Sequence, residues 1–549
     1  MLHQNLAYLL EKRREVSPQA IAVVEAHRDR RYTYEDLCRR VCALAHALKA
    51  AGLHRGDRLC CLTGNTVEYL QLFFAAARLG ASVSPINYRL SPADAAKILA
   101  DADPKVFVFD SMFGDLARDL VHGDGRPRTV LRFGEADHGW AEDMEERVAR
   151  YPGDGGEIEG DSEDPLLLLY TAGSTGRPKG VPLRHTHLFF NAINWIIDVG
   201  ISRDDYGLTV IPLFHIGGHM LWTLPHLIVG GKVLLQRRFE PEATLHLLAQ
   251  EKITNVFLLP TMLKMMLAVP NWAEYDLGSL RFIGAGGEPV PEKITRAFAG
   301  IGIPVLNAYG LTETSDGTTV LRPQHAAMKP ANCVGKPLTM VDVRIVDEAG
   351  EDVGHGVEGE LLHRGPSVVD AYWKRPEESE KAFGDGWFRT GDRAFRDREG
   401  FIYFLGRKDD LIITGGENVY PAEVEEVILG YPGVADVAIM GIPDERWGQA
   451  IKAVLALREG GTASQEEIFE YLKTRLSHFK LPRILEFTDA LPKMGSGKLD
   501  RVKIRALYGS ASGLAGKPLH ARSDGDAIEA LHGCCHQRDT NPVSGEGTR

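Results

Sequence analysis

Cysteine is scarce in this chain of 549 residues: only Cys38, Cys42, Cys60, Cys61, Cys333, Cys534 and Cys535 occur, without the even count and regular spacing of a disulfide framework. That excludes a disulfide-stapled secreted scaffold and points to a reducing, cytoplasmic setting. The run His532, Cys534, Cys535, His536 has adjacent cysteines, poor spacing for a closed tetrahedral metal site. Basic excess is missing too. With 63 Lys and Arg against 75 Asp and Glu, the net charge of −12 argues against a general nucleic-acid binder, which needs a basic face. No apolar run approaches the length of a bilayer span, so no transmembrane segment is expected. At Met1–Val16 a Leu-rich patch precedes Glu11, Lys12, Arg13 and Arg14, the wrong order for a signal peptide, and an amphipathic helix is expected there.

What is present is a long soluble-type sequence, 44% hydrophobic and 25% charged, too long for one ordinary core. The first third alternates helix and strand patterns: helix over Tyr34–Ala51 stopping at Gly52, strand over Arg58–Leu62, helix over Thr66–Arg78 ending at Gly80, and strands at Val83–Ile86 and Val106–Phe109. This alternation predicts an α/β class with doubly wound layers. Gly153–Asp164 reads as a surface connection. From Val341 to Leu405 short strands such as Val343–Val346 and Glu360–His363 alternate with Gly- and Asp-rich turns, a β-rich part. Strands at Val437–Gly441 and Ala450–Leu457 with a helix near Gln465–Leu476 indicate a small α+β domain. The expected division is 1–408, a large domain; 409–508, a small one; and 509–549, a tail without apolar periodicity that is expected to be disordered.

The sharpest local signal is Tyr170-Thr171-Ala172-Gly173-Ser174-Thr175-Gly176-Arg177-Pro178-Lys179-Gly180, directly after the apolar strand Leu166–Leu169. Small residues let backbone N–H groups crowd around an anion, hydroxyls of Thr171, Ser174 and Thr175 add donors, and Lys179 supplies a mobile cation. The common nucleotide-triphosphate loop needs Ser or Thr after its Lys, and Gly180 stands there instead, so this is a phosphate loop of another kind. It resembles the signature of the adenylate-forming (AMP-binding) superfamily of acyl-CoA synthetases, peptide-synthetase adenylation domains and beetle luciferases. Further motifs follow in that family's order, so the resemblance spans Tyr34 to Leu507. It departs at Ala172, where Ser is commoner and one hydroxyl contact is lost.

The resemblance implies a large domain of doubly wound α/β subdomains plus a β-rich, barrel-like part, followed by a small mobile α+β C-terminal domain. In Tyr309-Gly310-Leu311-Thr312-Glu313-Thr314 it implies that Tyr309 stacks on adenine, Thr312 bonds the α-phosphate and Glu313 holds Mg²⁺; read without the family, the segment is a helix start capped by Thr312. Gly286-Gly287-Glu288-Pro289 is similar to the adenine-binding turn, with Gly176 of the phosphate loop, Gly287 and Glu288 among the nucleotide contacts. Asp392 of Trp387-Phe388-Arg389-Thr390-Gly391-Asp392 matches the ribose-binding aspartate, a bidentate acceptor. In Gly406-Arg407-Lys408-Asp409-Asp410, Arg407 matches a ribose and phosphate contact and Asp409 the interdomain hinge. Lys498 of Leu491-Pro492-Lys493-Met494-Gly495-Ser496-Gly497-Lys498 matches the lysine that catalyses adenylation.

The implied chemistry is ATP-dependent: a carboxylate displaces pyrophosphate to give acyl-AMP, aided by Lys179, Thr312, Glu313 with Mg²⁺, and Lys498, and the acyl group then passes to coenzyme A. No protein nucleophile is needed. Pro212-Leu213-Phe214-His215-Ile216-Gly217-Gly218 matches the acyl-pocket region, where amino-acid-activating relatives place an Asp. Phe214-His215 therefore disfavours an α-amino acid, and with Trp195, Gly284, Ala285 and Ala308 a hydrophobic fatty, alicyclic or aryl acid fits best. Arg89, Gly416, Trp447 and Phe479 match positions near coenzyme A in aryl-CoA ligases; read without the family, Trp447 and Phe479 belong to a small-domain core and Arg89 to the surface. The alternative acceptor is the phosphopantetheine of an acyl carrier protein. Fatty acid metabolism is a natural setting, and oligomeric state stays open, a homodimer included.

Overall fold

The computed structural model describes residues 2–121, 127–171, 178–326, 329, 332–414, 417–444, 447–458, 460–494 and 498–509. Ser174, Thr175, Gly176, Gly416, the side chain of Asp409 and the tail from residue 510 lie outside them. Backbone contacts divide the chain into two compact units, Met1–Lys408 with Gly495–Lys498, and Asp409–Met494 with Leu499–Arg549.

The α/β class is borne out. One sheet of the first unit has seven strands in the order Glu142–Asp143, Thr129–Phe133, Val106–Asp110, Arg58–Leu62, Ser82–Pro85, Pro165–Thr171, Lys179–Arg184. All pairs are parallel except the last, an antiparallel hairpin. Val106–Asp110 is buried along its whole length, as a strand covered on both faces must be. The helix Val67–Leu79 starts at Thr66, whose hydroxyl oxygen accepts the Tyr69 N–H, and stops at Gly80 in the left-handed region, φ 68°. It is buried all round, so its polar groups need partners: Arg78 pairs with Glu11 and donates to the carbonyls of Gly155 and Gly156. The Gly153–Asp164 connection is thus tied down. Gly160 lies so close to the helix that a Cβ there would sit 2.5 Å from the Ala77 carbonyl oxygen.

The second sheet has thirteen strands. Its parallel part includes Tyr206–Thr209, Lys232–Leu235, Asn255–Leu258, Phe282–Gly286 and Val305–Leu311. It continues as an antiparallel ladder through Asp316–Val320, Cys333–Pro337, Ile402–Arg407, Phe388–Arg396, Gly359–Arg364 and Asp342–Val346. The change to antiparallel pairing therefore falls at the Leu311/Asp316 hairpin, earlier than the Val341 expected from sequence. Residues 309–317 carry motif chemistry rather than alternating hydrophobicity, which hides the strand.

The second unit builds a five-stranded sheet around the long hairpin Val434–Asp444 and Gly448–Leu457, with Ile484–Thr488 parallel to its second strand. Helices Pro421–Leu429 and Gln465–Lys473 cover it through Val424, Ile428, Ile468 and Leu472. The latter begins with a reciprocal Ser464–Glu467 cap and ends three residues short of the expected Leu476. Among the described residues no helix is long and apolar enough to cross a membrane.

Candidate functional site

The site forms around the hairpin Val305–Leu311 and Asp316–Val320, joined by a 3-10 turn over Thr312–Thr314. Thr312 is therefore not a helix cap: it is the first residue of the turn, and the cap position is Leu311. The backbone closes on itself too tightly for a longer element, since the Thr314 hydroxyl accepts from Leu311 N–H at 3.0 Å and donates to the Asp316 carbonyl at 2.6 Å. A Cβ at Gly310 would sit 1.7 Å from the Asp316 carbonyl oxygen, so the motif requires glycine there. The turn presents Thr312 half-buried and Glu313 at 8% exposure.

Two phenols organise what surrounds the turn. Tyr372 donates to Glu313 Oε1 at 3.0 Å, and the Lys179 ammonium lies 5.2 Å from its ring centre. Lys179 also pairs with Glu378 at 2.6 Å. Thr171 faces Lys179 across the hairpin, so both ends of the phosphate loop are held beside this group, while 172–177 lie outside the described residues. On the other side Tyr309 donates to Asp392 Oδ2, and Arg407 pairs with Asp392 Oδ1 at 3.2 Å from the directly opposite register position. Burial first, then the adjoining carboxylate, raises the pKa of both phenols, so each remains a donor.

Lys498 belongs to the first unit by its contacts. Gly287, at φ 80°, passes so close that a Cβ there would sit 3.3 Å from Lys498 Nζ. Burial lowers the lysine pKa; Glu288 and Asp316 oppose that shift and Arg407 adds to it. His215 feels the charge of the same ammonium. Burial, then the charges of Lys498 and Arg89, hold the imidazole at about 4, so it is neutral at physiological pH. An aromatic chain connects these groups: Arg89 lies 5.6 Å from the Tyr88 ring centre, Tyr88 meets Phe214 edge-on at 5.1 Å, and Phe214 touches His215 at 4.7 Å.

The strand Phe282–Gly286 carries the small positions. A Cβ at Gly284 would sit 2.7 Å from Phe257 and 2.9 Å from Trp222, and one at Gly286 would sit 2.3 Å from the Ala308 carbonyl oxygen. Ala285 and Ala308 are buried, and Trp195 is sealed, packed on Trp222 at 5.8 Å and on Gly317. In the second unit neither Trp447 nor Phe479 belongs to the core. Trp447 is half-buried under the Arg483 guanidinium at 4.7 Å, and Phe479 is 39% exposed beside Lys480 at 5.6 Å.

Sequence reasoning missed Tyr372, Glu378, Trp222, Phe257 and Asp316. The stretch Tyr372-Trp373-Lys374-Arg375 ahead of an acidic helix was an available signal; Phe257 and Trp222 look like ordinary core residues. Among the described residues no three His, Cys, Asp or Glu side chains gather as a closed metal site. One carboxylate steadied by a hydroxyl, as at Glu313, fits a magnesium ion whose other ligands are phosphate oxygens and water.

Comparison with known proteins agrees with this geometry. The family model for the AMP-binding enzyme matches residues 10–373, and that for the AMP-binding enzyme C-terminal domain matches 423–498. A feruloyl-CoA synthase of Amycolatopsis sp is 38% identical over 519 residues, covering 93% of this chain and 100% of the relative. An indoleacetate–CoA ligase of Aromatoleum aromaticum is 38% identical over 511 residues, covering 91% and 98%. The solved o-succinylbenzoate coenzyme A synthetase of Bacillus subtilis in complex with ATP and magnesium ion superposes with a TM-score of 0.80 at 31% identity, covering 90% of this chain and 99% of that one.

Proposed function

Because the chain belongs to the AMP-binding enzyme family, we propose that it is an AMP-forming acid–thiol ligase that activates a hydrophobic carboxylic acid with ATP and transfers it to coenzyme A. The observation that carries this reading is the approach of the buried Lys498 ammonium to Gly287, Glu288 and Asp316, beside the turn that presents Thr312 and Glu313. The CoA-ligase names of the relatives support the acceptor.

In this reading the acid's carboxylate oxygen attacks the α-phosphorus of ATP, and pyrophosphate leaves with the bonding electron pair. Lys498 offsets the repulsion between the two anions and the charge of the transition state. Thr312 donates to the α-phosphate, and Lys179 exchanges Glu378 for the outer phosphates with Thr171, Ser174, Thr175 and Gly176. Asp392, Arg407, Tyr309, Gly287 and Glu288 hold the nucleoside. Glu313 would hold Mg²⁺, which would neutralise charge on the phosphates. The coenzyme A thiol then attacks the acyl carbonyl, its proton passing to solvent, and AMP departs. Arg89, Gly416, Trp447 and Phe479 bind coenzyme A, and Asp409, in the turn Lys408–Asp410 where the chain passes between units, is the hinge. Trp195, His215, Gly284, Ala285 and Ala308 line the acyl pocket for a fatty, alicyclic or aryl acid. A cytoplasmic enzyme suits the buried free thiols of Cys38, Cys42, Cys60, Cys61 and Cys333. The test is a panel of such acids with ATP and Mg²⁺, following pyrophosphate. Release that depends on an acid supports adenylation, and no release with any class of acid refutes it.

A further inference from the structure

Asp101 stands in the last turn of the helix Pro92–Ala102, where no basic residue of that turn offsets the negative end of the helix dipole. A carboxylate there is out of place unless other parts of the chain bring it cations and donors. They do so from far away in sequence. Arg375 pairs with Oδ1 at 3.1 Å, and the Tyr170 hydroxyl donates to Oδ2 at 2.8 Å. Burial, then the bond to Asp101, raises the Tyr170 pKa, so the hydroxyl stays a donor. The Asp101 carbonyl, left without an intrahelical partner at this helix end, accepts from Lys374 Nζ at 2.7 Å and from Trp373 Nε1 at 3.3 Å. Lys374 reaches it from a left-handed backbone, φ 53°, which a residue other than glycine adopts at a cost. Two distant segments thus converge on Asp101, the strand end at Tyr170 and the stretch 373–375.

Both segments lead to groups of the candidate site. Tyr170 is the cross-strand partner of Gly180 in the hairpin Pro165–Thr171 and Lys179–Arg184, and the next pair is Thr171 with Lys179. The Trp373 N–H donates to the Gly180 carbonyl at 2.8 Å, and a Cβ at Gly180 would sit 2.9 Å from Trp373 Cβ and 3.3 Å from the Tyr170 ring. The hairpin and the stretch 373–375 therefore touch each other as well as Asp101. On one side of that stretch Tyr372 donates to Glu313, and the Lys179 ammonium lies over its ring. On the other side the helix Pro376–Phe383 carries Glu378, the partner of Lys179. Lys179 belongs to the seven-stranded sheet and Glu313 to a turn of the thirteen-stranded one, so their relative position depends on cross-ties of this kind. Asp101 is the point where the tie is made fast.

We propose that Asp101 is a positioning residue for the triphosphate: through Tyr170 and Arg375 it sets Lys179 and Glu313 at the spacing that the outer phosphates and their Mg²⁺ require. This rests on the ligase reading above and gives its grip on the outer phosphates a support outside the nucleotide site. The test measures equilibrium binding of ATP and of AMP by isothermal titration calorimetry, with magnesium chloride and without acid. The proteins are the full-length chain, Asp101→Asn, Asp101→Ala and Tyr170→Phe. AMP lacks the outer phosphates and is the internal control. Asp101→Ala is expected to raise the Kd for ATP about tenfold and to leave that for AMP within about twofold. Asp101→Asn keeps an acceptor without the charge, and Tyr170→Phe removes one donor, so each should fall between wild type and Asp101→Ala. Because both act on one carboxylate, Asp101→Ala in the Tyr170→Phe background should add less than it does alone. In turnover the KM for ATP should rise by a similar factor, while the KM for the acid and thioester formation from supplied acyl-AMP hold. A variant that only loosens the fold lowers the binding stoichiometry and leaves the ratio of the two Kd values unchanged. If Asp101→Ala does not fold, Asp101→Asn and Tyr170→Phe carry the same comparison. An ATP Kd within about twofold of wild type in every variant, or equal rises for ATP and AMP, overturns the proposal while adenylation stands. Failure of the wild type to bind ATP overturns the ligase reading and this proposal together.

Discussion

Acid should unfold the first unit well before its carboxylates protonate, because, besides His215 in the site, five histidines are locked inside it uncharged. His185, His187 and His226 are held at about 4, and His219 and His363 at about 3, in each case chiefly by burial. A histidine has a pKa near 6.5 when unfolded, so between pH 6.5 and 4 the unfolded chain binds more protons than the folded one. Stability is therefore complete above 6.5 and lost as pH falls. At about 1.4 kcal/mol per pKa unit, each group costs about 1.2 kcal/mol on going from pH 7 to 5.5. Five together cost about 6 kcal/mol, against a net stability of about 5–15 kcal/mol for a typical domain. Urea unfolding followed by tryptophan fluorescence, with Trp195 and Trp222 as buried reporters, should show the midpoint falling steeply below pH 6.5. Neither ring nitrogen of His363 has a hydrogen-bond partner among the described residues, so His363→Phe should remove one titrating group and blunt the loss by about 1 kcal/mol at pH 5.5. A midpoint constant from pH 7 to 5 would refute the reasoning.

Three further outcomes are expected. Lys498→Ala should lower adenylation by about a hundredfold or more, typical for removing a charge at the transition state, and spare thioester formation from supplied acyl-AMP; equal loss of both steps would contradict its role. Since burial lowers the Lys498 pKa, kcat/KM for adenylation should fall with rising pH before an ordinary lysine, near 10.4, would titrate, and a profile flat to that point would count against it. Tyr372→Phe should weaken the dependence on Mg²⁺ several-fold by freeing Glu313, with the KM for the acid unmoved as the control.

The parts of the fold that were legible in the sequence had a local physical signature. Thr66 and Gly80 bracket a helix because a hydroxyl cap and a left-handed glycine are encoded residue by residue. Arg58–Leu62 was legible because an apolar run between turns can only be a buried strand or helix, and its five residues are too few for the latter. Asp316–Val320 was not legible, since a strand whose pairing depends on a tight turn and two glycines leaves no periodic pattern. In the site, the motif residues that act on phosphate or ribose could be named in advance because anion chemistry restricts residue type. Tyr372 could not, because it reaches Glu313 from 59 residues away.

The central claim is the transfer to coenzyme A, and the most direct measurement follows acyl-AMP and thioester separately in one reaction. Wild-type enzyme is given a competent acid, ATP and Mg²⁺, first with coenzyme A and then with a phosphopantetheinylated carrier protein. The account expects acyl-CoA to form in step with AMP, and the carrier to remain unloaded. Ready formation of acyl-AMP that ignores coenzyme A and acylates the carrier would contradict it.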